Sequence, residues 1–90
     1  MKQLHLKIHG RVQGVLYREN ARHQAGELGL TGWVKNCSNG VVELVAQGRE
    51  EDLQKILEWC KNGPRHAEVD RVEETWSEIK EGFEGFKIVY

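Results

Sequence analysis

No run of apolar residues in this 90-residue chain approaches the roughly 20 needed to span a bilayer. The opening stretch, MKQLHLKIHG, alternates and then stops, so a secretory signal is not expected. An excess of charge of one sign is also missing. Thirteen basic residues face 14 acidic ones, for a formal net charge of −1. That balance gives no general pull toward nucleic acid or an anionic membrane, so any anion site must be local. Only two cysteines are present, Cys37 and Cys60, and they form no CxxC pair. His5, His9, His23 and His66 are scattered without ligand spacing. A metal site is therefore not expected, and the bland reading is two free thiols and four surface or partly buried histidines. Repeats and low-complexity segments are absent too. What remains is one small domain with an ordinary globular composition, 39% hydrophobic and 30% charged, expected in the cytoplasm.

Periodicity divides the chain into elements. Leu4, Leu6 and Ile8 alternate with His5, Lys7 and His9, which predicts a half-buried strand. From Arg18 the period changes to that of a helix, with Tyr17, Ala21, Ala25 and Leu28 at helical spacing and Gly29 as the stop. Leu30 to Asn36 reads as a strand with Leu30, Gly32, Val34 and Asn36 in one phase. The Asn39-Gly40 pair predicts a hairpin into a partner strand that buries Val42, Leu44 and Ala46. Arg49 to Asn62 carries an apolar stripe of Leu53, Ile56, Leu57 and Cys60, ended by Gly63-Pro64. Ala67 to Trp76 is strand-like, but Val69 and Val72 are out of phase, which predicts a bulge. Gly85 to Tyr90 reads as a last strand with Phe86, Ile88 and Tyr90 in phase.

The order β-α-β-β-α-β-β, with one apolar stripe per helix, predicts a two-layer α+β sandwich of ferredoxin-like type. Two helices would cover one face of a five-stranded sheet, and residues 1–90 would form one domain. Chain direction then places the loop GRVQGVLYR (10–18), Asn36 and Tyr90 at one sheet edge. A loop feeding a helix N-terminus presents successive N–H groups to an anion. Gly10 and Gly14 are expected to relax its backbone. Arg18 adds a planar fork of donors suited to phosphate oxygens. Asn36, in the core phase at the same edge, is placed to hold a water.

GRVQGVLYR followed by GLTGWVKN resembles the signature pair of the acylphosphatase family. The similarity runs over nearly the whole chain, through the SNGVVELVAQG hairpin, the Gly-Pro stop of the second helix and the aromatic last strand. The resemblance implies a metal-free, cofactor-free hydrolase that splits acyl phosphates into a carboxylate and inorganic phosphate. It places the catalytic arginine on Arg18 and the water-holding asparagine on Asn36. The phosphate-loop amides fall on Gly14, Val15, Leu16, Tyr17 and Arg18. Two positions depart from the family pattern: Leu16 stands where a smaller residue is common, and Tyr17 where phenylalanine is usual. A monomer is expected. The alternative is a binding or regulatory module that keeps this fold, or a piece like the acylphosphatase-type domain of larger carbamoyl-handling enzymes.

Arg11, near the start of the loop, reads as solvated or structural. Trp33 and Trp76 are expected on the open sheet face, and Trp59 half-buried beside the second helix stripe. With no RRM consensus and no basic face, a stacking platform for RNA is not expected. Glu43 and Glu68 read as solvated strand residues. Cys37 and Cys60 are expected on opposite faces of the sheet, unbonded. The last strand is expected beside the first, with the Tyr90 carboxylate approaching Arg18.

Overall fold

Leu4, Leu6 and Ile8 are fully buried on one side of the first strand, as their alternation predicts. A computed structural model of the chain describes Met1–Tyr90. Its elements are β1 (Lys2–Arg11), α1 (Tyr17–Glu27), β2 (Thr31–Asn36), β3 (Val42–Gly48), α2 (Glu50–Asn62), β4 (Glu68–Glu78) and β5 (Phe86–Val89). The strands form one sheet in the order β4-β1-β3-β2-β5. β3 is antiparallel to both β1 and β2, and β4 is antiparallel to β1. β5 is parallel to β2.

Both helices cover the same face. α2 packs over β1 and β4, and α1 over β2 and β5. From α2, Leu53, Ile56, Leu57 and Cys60 enter the core; α1 supplies Tyr17, Ala21 and Ala25. Each fully buried Leu or Ile contributes about 1.5–3 kcal/mol. No helix is long and apolar enough to cross a membrane.

The predicted bulge is present in β4. Ile8 pairs with Val72 and Gly10 with Val69, with a register shift between them. One extra residue lets Val69 and Val72 both pack against the core despite their odd spacing. Gly10 is correspondingly a strand residue rather than a loop hinge. A Cβ there would lie 2.1 Å from the Glu68 carbonyl oxygen, so the close approach of β4 demands glycine.

Three expectations are corrected. β5 lies beside β2, not β1, because β3 and β4 already occupy both edges of β1. Trp76 sits opposite the buried Leu4 and packs against the core on the helix side; only Trp33 faces the open side, where the Lys35 ammonium lies 5.5 Å from its ring centroid. Glu43 is not simply solvated. The His5 Nε2–H donates to its Oε2 at 2.6 Å, the Cys37 thiol approaches Oε1 at 3.6 Å, and the Lys35 ammonium lies 3.8 Å away. Nearby, His9 bonds Glu73.

Cys37 and Cys60 are free. Cys37 joins the open-face cluster, while Cys60 is fully buried under α2, so the sheet separates them. Burial pushes the Cys60 thiol up to about 12. Burial and the Glu43 carboxylate also raise Cys37.

The open-face carboxylates predict a pH response. Desolvation pushes Glu43 up, but hydrogen bonds from His5 and Cys37, with the charges of His5 and Lys35, outweigh it and hold the carboxyl below its ordinary range. The His9 hydrogen bond likewise depresses Glu73. A depressed folded pKa stabilises the fold above the unfolded value and loses that contribution as pH falls through the folded one. The urea midpoint should therefore drop between roughly pH 5 and pH 3, and Glu43→Gln should flatten that drop. Equal slopes in parent and variant would remove Glu43 from the acid response.

Candidate active site

β1, β2 and β5 all point their C-terminal ends to one edge of the sheet. Segment 12–16, Asn36 and Tyr90 consequently meet there. Val12, Gly14, Leu16, Tyr17, Arg18, Glu19 and Asn36 line a pocket of about 260 Å³. Gly14, Leu16, Tyr17, Arg18 and Asn36 are thus brought together as the sequence predicts. The Val15 side chain turns away and packs against the core. Arg11 is exposed and does not line the pocket.

The loop backbone is shaped to leave its donors free. Gly14 has φ 74 and Leu16 has φ 62. Leu16, with ψ 24, is the N-cap of α1 and offers no side-chain cap. A left-handed conformation costs a leucine roughly 1–2 kcal/mol. Alternation of left- and right-handed residues turns successive N–H groups toward one concavity. None of the amides of Gly14 to Arg18 donates to a backbone carbonyl; the first bond onto the helix is Asn20 N–H to Leu16 O at 3.1 Å. Asn20 Nδ2 donates to the same carbonyl at 2.8 Å, which fixes the turn.

Arg18 occupies the first turn of α1, where the helix dipole disfavours a cation unless an anion is near. No ion pair involves it. Its guanidinium instead lies 5.0 Å from the centroid of the Tyr90 ring. Tyr90 does end beside Arg18, but through its ring. The expected approach of the terminal carboxylate is corrected to a cation–π contact, which leaves the guanidinium donors open to the pocket.

Tyr17 anchors this end of the helix. Its hydroxyl donates to the Cys60 carbonyl at 2.7 Å, and its ring meets Trp59 at 5.3 Å and 56°. Burial, followed by the Cys60 thiol, raises the phenol pKa well above its ordinary value, so the group stays neutral. The extra hydroxyl relative to phenylalanine is therefore accommodated between the helices, away from the pocket.

Asn36 carries an unusual feature. Its Oδ1 is buried and has no hydrogen-bond partner. A buried acceptor left without a donor is costly, and such exceptions concentrate where a ligand or water binds. The atom belongs to a pocket-lining side chain at the end of β2, at the same edge as the unpaired loop amides.

Sequence reasoning missed Gln13. Its Nε2 donates to the carbonyls of Cys37 at 2.8 Å and Val41 at 3.1 Å. Both carbonyls flank the tight turn after Asn36, so one side chain clamps the loop before α1 to the strand end that carries the asparagine. An amide side chain just before Gly14, in the loop between β1 and α1, was the only available signal. Gln13→Ala removes two hydrogen bonds, each with a net contribution of about 1 kcal/mol. It should lower the urea midpoint and reduce turnover by roughly tenfold through misalignment. Unchanged stability and turnover would show that the clamp is dispensable.

The fold and this pocket define a ferredoxin-like α+β protein with an unsatisfied N–H loop and an unpaired arginine at one sheet edge. The family model described as acylphosphatase matches residues 4–88. The acylphosphatase of Roseiflexus sp. is 42% identical over 90 residues, covering 100% of this chain and 97% of that one. That of Thermococcus kodakarensis is 47% identical over 85 residues, covering 94% and 92%. The crystal structure of acylphosphatase from Bacillus subtilis superimposes with a TM-score of 0.97 at 41% identity, with both chains covered completely. The chain belongs to the acylphosphatase family and is a hydrolase.

Proposed function

We propose that the pocket hydrolyses acyl phosphates, with Arg18 and Asn36 as its catalytic residues and the amides of Gly14, Val15, Leu16, Tyr17 and Arg18 as its phosphate cradle. One observation carries this reading: unpaired loop amides, an arginine without a counterion and an orphaned buried Asn36 Oδ1 share a single small pocket. Amides and guanidinium surround the phosphoryl oxygens and balance their charge. A water donates one hydrogen to Asn36 Oδ1, which aims its lone pair at phosphorus. The new P–O bond forms as the bond to the acyl oxygen breaks, and the carboxylate leaves with that electron pair. A carboxylate is a good leaving group, so little acid catalysis is needed. The proton released by the water passes to a phosphoryl oxygen of the substrate. None of these steps calls on a metal or a cofactor, and the products are a carboxylate and inorganic phosphate.

The test is release of inorganic phosphate from benzoyl phosphate in the presence of a chelator. Full turnover is expected, with competitive inhibition by added phosphate. A protein that binds phosphate but leaves the anhydride intact would be the binding module of the alternative reading.

A further inference from the structure

Arg18 and Glu19 set opposite charges side by side in the first turn of α1, and both residues line the pocket. They are the only formally charged residues in its lining, so its side-chain charges cancel. A phosphate cradle has no use for a carboxylate. The ordinary role of an acidic residue in a first turn is to complement the helix dipole, and that role does not depend on a pocket. Two features take Glu19 beyond it. Glu19 lines the pocket while its side chain stays 57% exposed, which puts it at the opening rather than on the floor, where the buried Asn36 Oδ1 lies. Its charge is also poorly answered. The Arg22 guanidinium is 3.9 Å away, and both side chains are more than half exposed, so the pair is loose and screened.

We infer that Glu19 is a specificity-determining residue that selects substrates by the charge of the acyl group: acyl phosphates with a neutral or cationic acyl group are favoured over those whose acyl group carries a carboxylate of its own. The inference rests on the hydrolytic reading above and deepens it. The phosphoryl charge is common to all substrates, so its repulsion by Glu19 cancels between them. The acyl group leaves the cradle through the opening, where Glu19 stands. A carboxylate carried there meets a like charge, and the one cation of the lining, Arg18, is already engaged with phosphoryl oxygens. The chain's net charge of −1 supplies no compensating field. Two like charges several ångströms apart at a half-solvated opening interact between the bulk-water and protein-surface limits, which corresponds to roughly three- to tenfold in affinity. The repulsion is the same in the bound substrate and in the transition state, so it acts on KM and leaves kcat alone.

The experiment measures kcat and KM for benzoyl phosphate and para-carboxybenzoyl phosphate in the parent protein, in Glu19→Gln and in Glu19→Lys. The two substrates share the ring and the scissile bond and differ in one charge. Glutamine and lysine are good helix formers on an exposed position, so the fold should persist. The benzoyl-to-carboxybenzoyl ratio of kcat/KM should fall roughly three- to tenfold in Glu19→Gln and further in Glu19→Lys, with the change in KM. The differences should shrink in about 0.5 M salt. Any intrinsic difference in reactivity between the two substrates is the same in all three proteins and cancels. A residue that only complements the helix dipole would alter both substrates equally and leave the ratio unmoved. Equal ratios in the three proteins, with benzoyl phosphate turned over, would overturn the charge selectivity alone. No hydrolysis of benzoyl phosphate by the parent would overturn the hydrolytic reading and the selectivity with it.

Discussion

Arg18→Lys should lose phosphate binding and turnover together, although it keeps the charge. The guanidinium presents a rigid planar fork that matches two phosphoryl oxygens at once, whereas an ammonium is a compact, strongly hydrated point charge. The geometry around Arg18 sharpens the contrast. Its guanidinium carbon lies 5.0 Å from the centroid of the Tyr90 ring, a contact that a planar cation makes well. A lysine would need to give up either that contact or its reach into the cradle. Charge-assisted bidentate bonds are about twice as strong as neutral ones, and their loss in the transition state should lower kcat/KM by at least about 100-fold. The fold should persist, because Arg18 makes no ion pair that the substitution could break. Competitive inhibition by inorganic phosphate and turnover of benzoyl phosphate, measured on the same preparation, check both halves. A lysine variant that bound phosphate as tightly as the parent would refute the bidentate role.

Asn36→Ala should separate binding from chemistry. In the proposed cradle the loop amides and Arg18 surround the phosphate without Asn36, so the variant should retain phosphate affinity within about twofold while turnover falls on the order of 10²–10³. The orphaned Oδ1 is the reason. Its removal relieves an unsatisfied buried acceptor, so the stability change should be small, and a loss of activity could not be ascribed to unfolding. Asn36→Asp offers the complementary result. It preserves shape but sets a negative charge toward an anionic substrate, so binding should weaken as well as turnover. Retained turnover in the alanine variant would remove Asn36 from the reaction and leave the loop as an anion-binding site. The pattern expected for Arg18 is the opposite, since there affinity and rate fall together.

What the sequence determined by itself was local. Alternation in Leu4–His9 and the three-and-four spacing of Leu53, Ile56, Leu57 and Cys60 marked a strand and a helix, because side-chain direction within one element repeats with the backbone. The Asn-Gly turn marked the hairpin, and the odd Val69–Val72 spacing revealed the bulge, for the same reason. Element order and chain direction were enough to bring the loop, Asn36 and Tyr90 to one edge. Only the tertiary structure decided how separate elements lie side by side. β5 pairs with β2 because both edges of β1 are taken, and that lateral placement fixes how Tyr90 approaches Arg18. Trp76 changed face because its register against β1 is set across the bulged pair. The Gln13 clamp and the His5–Glu43–Cys37 cluster join residues from different strands and loops, and their contacts depend on pairing register and sheet twist. No periodicity within either partner records them. The solitary Asn36 Oδ1 belongs to the same class. Its residue was recognisable in the sequence, but the lack of a partner is a property of everything packed around it.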